Sequence, residues 1–281
     1  MKYRVLCSTI LFLLIGCSSA PKGPLEVRAQ RRMGLSQLEA ANTETERGNY
    51  ETALALISEA QRLAVSADDP ALIIRTALSR GDILSYLNRP VEAQAAFDGA
   101  LGEAERVGNT ELAAVSRIYI ARSRLRGGGN AMELRDQVRR ELSLIKKEQT
   151  DLALGWTVMG LAEKELGRWS DAENGIKNAL DIHVKGGYLE KAAYDWYLIA
   201  SIRSVSGDYQ GALNALEEAL SYDRRAENTY GLGTDWKAMG DVYKKAGKGP
   251  AADIAYRRSA DIFRSISMEK EAAEVEGRIG G

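Results

Sequence analysis

The chain has 281 residues, 45% of them hydrophobic and 27% charged, which is ample apolar material for a folded body and too little charge imbalance for a disordered one. Its formal net charge is −1, and removal of a leader carrying Lys2 and Arg4 leaves 36 basic against 39 acidic residues, or −3. That balance excludes the basic footprint of a nucleic-acid binder, and cysteines confined to Cys7 and Cys17 exclude a disulfide framework for the body.

Met1 to Arg4 is a short basic start, and Val5 to Ile15 is an apolar run broken only by Ser8 and Thr9, too short to span a bilayer. The run ends in Leu14-Ile15-Gly16-Cys17, which resembles the lipobox of bacterial lipoprotein precursors. The resemblance implies a signal peptide over 1–16, cleavage after Gly16 and a lipid, palmitate included, on Cys17 that holds the body to an extracytoplasmic membrane face. Ser18, where an aspartate would retain an enteric lipoprotein at the inner membrane, favours the outer membrane and the periplasm. Residues 17–33 carry the lipidated cysteine and lead into the first helix, and Ser18 to Pro24 reads as a tether reaching about 25 Å at about 3.5 Å per residue.

The body is a repeat of 40 residues. Gly167, Gly207 and Gly247 keep that spacing, as do Trp156, Trp196 and Trp236, the small residues Gly160, Ala200 and Gly240, and the alanines Ala172, Ala212 and Ala252. Carried backwards, the register gives Ala41, Gly81 and Ala121 for the small position, Gly48, Asn88 and Gly128 for the turn, and Ala53 and Ala93 for the second helix. A glycine or asparagine after the first helix can take the left-handed conformation that ends a helix, and Pro90 and Pro250 suit the first turn of the next. Larger residues such as Leu56, Phe97, Ile176, Leu216 and Tyr256 are expected to fill the space between neighbouring hairpins.

The spacing of large and small residues in Trp156, Met159, Gly160, Trp169, Ala172, Ile176 and Ala179 resembles the tetratricopeptide repeat, and it recurs in Trp196 to Ala219 and in Trp236 to Tyr256. The resemblance implies an all-α, right-handed superhelical solenoid with helices longer than in the usual 34-residue unit. Six hairpins are expected at 34–73, 74–113, 114–152, 153–192, 193–232 and 233–272, and a capping helix over 268–281. The third is degenerate: Arg117 stands where tryptophan is expected, Gly127-Gly128-Gly129 replaces a single turn glycine, and Glu133 occupies the tight alanine position, so a looser turn or a register shift is expected there.

No constellation of nucleophile, base and orienting residue is visible, so no enzyme and no cofactor are expected. His183 is the only histidine, which precludes an ordinary zinc site and leaves a solvated residue near a helix end as its reading. Ser143 to Lys146 matches Ser-x-x-Lys without the companion elements of serine acylating enzymes. Gly127 to Asn130 is a turn rather than a phosphate loop. The tryptophans read as packing between helices, and Glu163 and Glu165 as a solvated face.

In the tetratricopeptide family the first helices line the concave surface, which here maps to Arg75, Leu78, Asp82, Ile118, Arg122, Arg126, Leu154, Thr157, Lys164, Tyr194, Tyr197, Ser201, Lys237, Asp241 and Lys244. Arg122, Tyr197 and Lys244 are taken to lie off the packing register, so that replacing them leaves no cavity. The family's carboxylate clamp is not reproduced, because Asp241 stands where asparagine is needed beside Lys237. The function implied is a lipid-anchored scaffold holding a segment of an envelope protein, with homo-oligomerisation allowed and nucleic acid excluded. The alternative is an accessory lipoprotein of a tripartite ATP-independent (TRAP-type) transport system with a ligand-conducting pore through Tyr194 and Tyr197.

Overall fold

The computed structural model describes residues 29–146 and 149–280, so the signal segment, Cys17 and the tether up to residue 28 lie outside the described residues. The described residues form α1 (Ala29–Glu46), α2 (Tyr50–Ser66), α3 (Pro70–Tyr86), α4 (Pro90–Arg106), α5 (Thr110–Arg126), α6 (Ala131–Leu142), α7 (Gln149–Glu165), α8 (Trp169–Gly186), α9 (Leu189–Val205), α10 (Tyr209–Ala226), α11 (Thr229–Lys245), α12 (Gly249–Ser265) and α13 (Glu269–Glu276). They pair as six consecutive hairpins, α1/α2 to α11/α12, each packed on the next, with α13 against α12. None of these helices is long and apolar enough to cross a membrane.

The hairpins that open with α3, α5, α9 and α11 start four residues ahead of the frame set by the buried register, α3 at Pro70 rather than 74 and α11 at Thr229 rather than 233. Side-chain caps set three of these starts. Asp69, Asn109 and Asn228 accept hydrogen bonds from the backbone N–H of Leu72, Leu112 and Gly231, so the helices begin at these side chains and not at the first core residue. The turn inside each hairpin is left-handed at the expected residue: φ is +78° at Gly48, +56° at Asn88, +80° at Gly128, +71° at Gly167, +89° at Gly207 and +72° at Gly247.

Two helices of a hairpin cross where the small residue of the first meets a large residue sixteen positions on in the second. Gly81 faces Phe97, Gly160 faces Ile176 and Gly240 faces Tyr256. Ala41 and Ala200, with Ile57 and Leu216 sixteen residues on, complete the register, all of them 2% exposed or less. In the first hairpin the filling residue is therefore Ile57 and not Leu56, which is only half-buried one position off the seam. The third hairpin shifts by one: Glu133 is exposed and Leu134 and Val138 are buried instead. Asn130 caps the N–H groups of Met132 and Glu133, and α6 is only 12 residues long, so the extra turn residue is absorbed before the helix begins. At the far end Ala272 and Val275 of α13 are buried in one cluster with Tyr256 and Phe263, covering the last hairpin.

The first and last hairpins meet. The Tyr50 and Tyr230 hydroxyls lie 3.3 Å apart, and the two rings meet edge to face with centres 6.5 Å apart. A Cβ on Gly48 would lie 2.7 Å from the Tyr230 ring and 3.1 Å from the Met268 methyl, so the turn of the first hairpin rests directly on the last one. Tyr50 also stacks on Tyr86 at 5.0 Å. The superhelical turn thus closes on itself through side chains 180 residues apart.

Candidate functional site

Closure turns the concave face into a channel of about 590 Å³ walled by α1, α3, α5, α7, α9 and α11 and by the ends of α8 and α10. Of the residues mapped from the register, Arg75, Leu78, Asp82, Arg122, Leu154, Thr157, Tyr194 and Tyr197 are on the wall. Tyr194 and Tyr197 lie face to face with ring centres 6.1 Å apart. Ile118 is core, fully buried, and not a groove residue. Arg126 lies over the Tyr86 ring at 5.4 Å, behind a wall residue. Lys164 donates to Ser201 at 2.9 Å, and neither lines the channel. Lys237 and Asp241 are engaged by the cap instead: Lys237 lies 3.7 Å from Glu274, and Asp241 accepts from Arg278 at 2.8 Å and from the Tyr256 hydroxyl at 2.7 Å. Lys244 is exposed off the wall. The groove expected in the last hairpin is thus partly filled by the chain's own C-terminal segment.

Arg122 is no loose surface group. It pairs with Asp82 and lies over the Tyr119 ring at 4.7 Å. Burial opposes its charge, but Asp82 and the Tyr119 and Tyr86 hydroxyls hold its pKa above the ordinary guanidinium value. Reversing it would set a glutamate against Asp82, so the expectation of an unchanged fold does not hold for this residue. Arg75 pairs with Asp151 at 3.0 Å in the same half of the wall.

The other half is acidic, and the sequence reading missed it. His183 is not solvated: it is buried, with Nδ1 2.6 Å from Asp195. Burial raises the pKa of Asp195, and the hydrogen bond to His183 opposes that rise. Glu46 faces the same group from α1 and is raised by burial, with Lys191 pulling it down. Asp223 and Asp235 are each 3% exposed. Burial pushes Asp223 up to about 7 against a hydrogen bond from Asn228 at 2.9 Å, and burial beside the Asp223 carboxyl pushes Asp235 well above the carboxylate range. Asp235 Oδ2 has no hydrogen-bond partner. A signal for all four residues was present: His183 and Asp223 keep the repeat spacing of 40, as do Asp195 and Asp235.

Glu163 is buried too, pairing with Arg135 at 3.4 Å and Arg168 at 3.3 Å, because the third hairpin's shift brings Arg135 against α7; only Glu165 is exposed. Ser143 Oγ donates to the Arg140 carbonyl in the last turn of α6, and Gly127 to Asn130 form the turn between α5 and α6. Among the described residues no group of three histidine, cysteine or acidic side chains is placed to hold a metal ion.

Against known structures the chain aligns with the Rap protein complexed with competence and sporulation factor over 88% of its length and 74% of that chain, at a TM-score of 0.61 and 14% identity. It aligns with aspartyl phosphate phosphatase F from Bacillus subtilis over 92% and 80%, at 0.61 and 12%. A third match is the signal-transduction ATPase with a tetratricopeptide repeat sensor from Pyrococcus horikoshii, over 89% of this chain but 43% of that one, at 0.52 and 16%. The fold is a tetratricopeptide-type solenoid. No family model and no curated protein matches the sequence.

Proposed function

We propose that the chain is a lipid-anchored bacterial envelope protein, tethered through Cys17, that holds an extended segment of a partner protein in its central channel. The observation that carries the reading is the channel itself. Its volume of about 590 Å³ is that of a ligand pocket and too small for a folded domain, and its wall draws side chains from all six first helices. The Rap protein, which shares the fold, is described in complex with a factor, and this supports binding as the use of such a scaffold. In this reading the chain binds and carries out no reaction, and the lipid on Cys17, with the outer membrane as its site, places the channel in the periplasm.

A photoreactive amino acid at Tyr197 or Leu154, on the channel wall, should crosslink a partner protein in intact cells, whereas one at Val91 or Ile254, 81% and 68% exposed on second helices, should not. Crosslinks from the outer positions alone would overturn the proposal. The stacked pair Tyr194 and Tyr197 favours a second reading, an accessory of a transport system whose channel takes a small molecule. Native mass spectrometry separates the two: a bound small molecule with no protein crosslinked at Tyr197 favours the second.

A further inference from the structure

Two successive repeats build the same corner of the channel with different charges. In the α8–α9 corner His183 pairs with Asp195, and Lys191 supplies a cation with its ammonium 5.3 Å from the Tyr188 ring centre. Forty residues on, in the α10–α11 corner, Asp223 stands for His183, Gly231 for Lys191 and Asp235 for Asp195. The histidine and the lysine are gone, the acid is retained, and a second acid stands where the histidine was. Asp235 Oδ2 is left without a partner in a side chain 3% exposed, although Asp223, Gly231 and Asp235 all border the channel. An unmatched buried oxygen of this kind costs free energy that a ligand can recover. Around the whole wall carboxyl groups outnumber lysine and arginine by more than two to one, and Arg75 and Arg122 already have acidic partners of their own.

We propose that the Asp223–Asp235 corner is the subsite for an alkylammonium group, which reaches the unpartnered Asp235 oxygen from the channel. The inference rests on the reading of the channel as the binding site. The ammonium is supplied by a lysine of a bound segment or by a free polyamine, since both present the same group. The pair binds a cation best after releasing the proton it holds. Glu190 from α9, Arg224 from α10 and Asn228 at the start of α11 face the pair, and His183, Lys191 and Glu46 complete the acidic half of the channel.

The test is calorimetry on the full chain in detergent with three probes: the capped pentapeptide Gly-Ser-Lys-Ser-Gly, its Nε-acetyl-lysine twin, and spermidine. The lysine peptide should bind at least about tenfold more tightly than its neutral twin. Its affinity should rise about tenfold from pH 6 to pH 8 as Asp223, pushed up to about 7 by burial, releases its proton. Asp223→His, which rebuilds the preceding corner, should abolish the preference, as should the double variant Asp223→Asn with Asp235→Asn, which keeps the shape and removes the charge. Spermidine binding more tightly than the peptide points to a free polyamine, and the reverse to a protein segment. Equal affinity for lysine and acetyl-lysine, absence of saturable binding by both charged probes, or a pH dependence that survives in the double variant overturns the subsite. Persistent crosslinking at Tyr197 would then leave the channel reading standing, and its loss would remove both.

Discussion

The tightest point of the stack is the α7–α8 crossing, where glycine lies against glycine, and a single methyl group there tests the register. A Cβ on Gly175 would lie 2.9 Å from both Cα and N of Gly160 and 3.1 Å from the Trp156 carbonyl oxygen, all backbone atoms that no rotamer change can move. A Cβ on Gly160 would meet the Ala172 carbonyl oxygen at 2.8 Å and Ile176 Cδ1 at 2.7 Å. Two effects oppose each other in Gly175→Ala. Alanine favours a helix interior over glycine by about 1 kcal/mol, while forcing the helices apart costs roughly 1–3 kcal/mol. Gly99→Ala on α4 isolates the first effect, because nothing lies within 4 Å of its added methyl. Gly99→Ala should therefore stabilise by about 0.5–1 kcal/mol, and Gly175→Ala should fall about 1–3 kcal/mol below it. At about 2–4 °C per kcal/mol for a chain of this size, thermal melting followed by circular dichroism resolves the gap, and urea titration checks it. A Gly175→Ala variant as stable as Gly99→Ala would refute the close crossing and with it the placement of Gly160 as the small position.

Glu163→Leu should destabilise by about 2–4 kcal/mol, since Arg135 and Arg168 lose a buried carboxylate, whereas Glu165→Leu on the exposed side should change melting little; equal effects would contradict the buried position. For Asp235→Asn the sign follows from linkage. The carboxyls of Asp223 and Asp235 hold protons more tightly folded than unfolded, so the stability they add is full at about pH 4 and lost as pH rises through about 7. The wild type should melt lower at pH 8 than at pH 5 and the variant should recover part of that loss, Asp223 keeping its own, which parallel melting curves across this range would disprove. Cys17→Ala should abolish metabolic labelling by a lipid precursor that marks the wild type, and equal labelling would remove the proposed anchor. Tyr230→Ala should open the contact between the first and last hairpins and raise the radius of gyration in X-ray scattering with little loss of helix; an unchanged radius would show that the contact does not hold the ring closed.

The periodic part of the fold was legible because it rests on single-residue requirements that recur: a left-handed turn at Gly48, Asn88 and Gly207, and a small side chain at Ala41, Gly81 and Gly240. The deviations were legible only as places of trouble. Gly127-Gly128-Gly129 announced a register shift, but that the shift would bury Leu134 and bring Arg135 against Glu163 depended on packing with α7, which no local pattern states. The Leu56 assignment fails for a simpler reason: the spacing of 40 back from Phe97 falls on Ile57, its apolar neighbour, and that is the residue buried at the crossing.

The channel was harder to read because its closure depends on accumulated geometry. Each hairpin turns the next by a small angle, and whether six of them bring Tyr50 to Tyr230 is a property of the sum, to which every residue contributes and none individually signals. Closure also reverses the expected chemistry. On an open concave face a charged residue is solvated and bland, as His183 was taken to be. Inside a ring the same residue loses water and must find a partner, and the cost of an unmatched charge becomes several-fold larger. The two corners of the wall show both outcomes of that constraint: His183 satisfies Asp195 within the chain, whereas Asp223 is held by Asn228 and Asp235 Oδ2 is left without a partner. A repeat protein that copies a satisfied pair into an unsatisfied one, forty residues on and facing the same lumen, has left a charge for something outside the chain to complete.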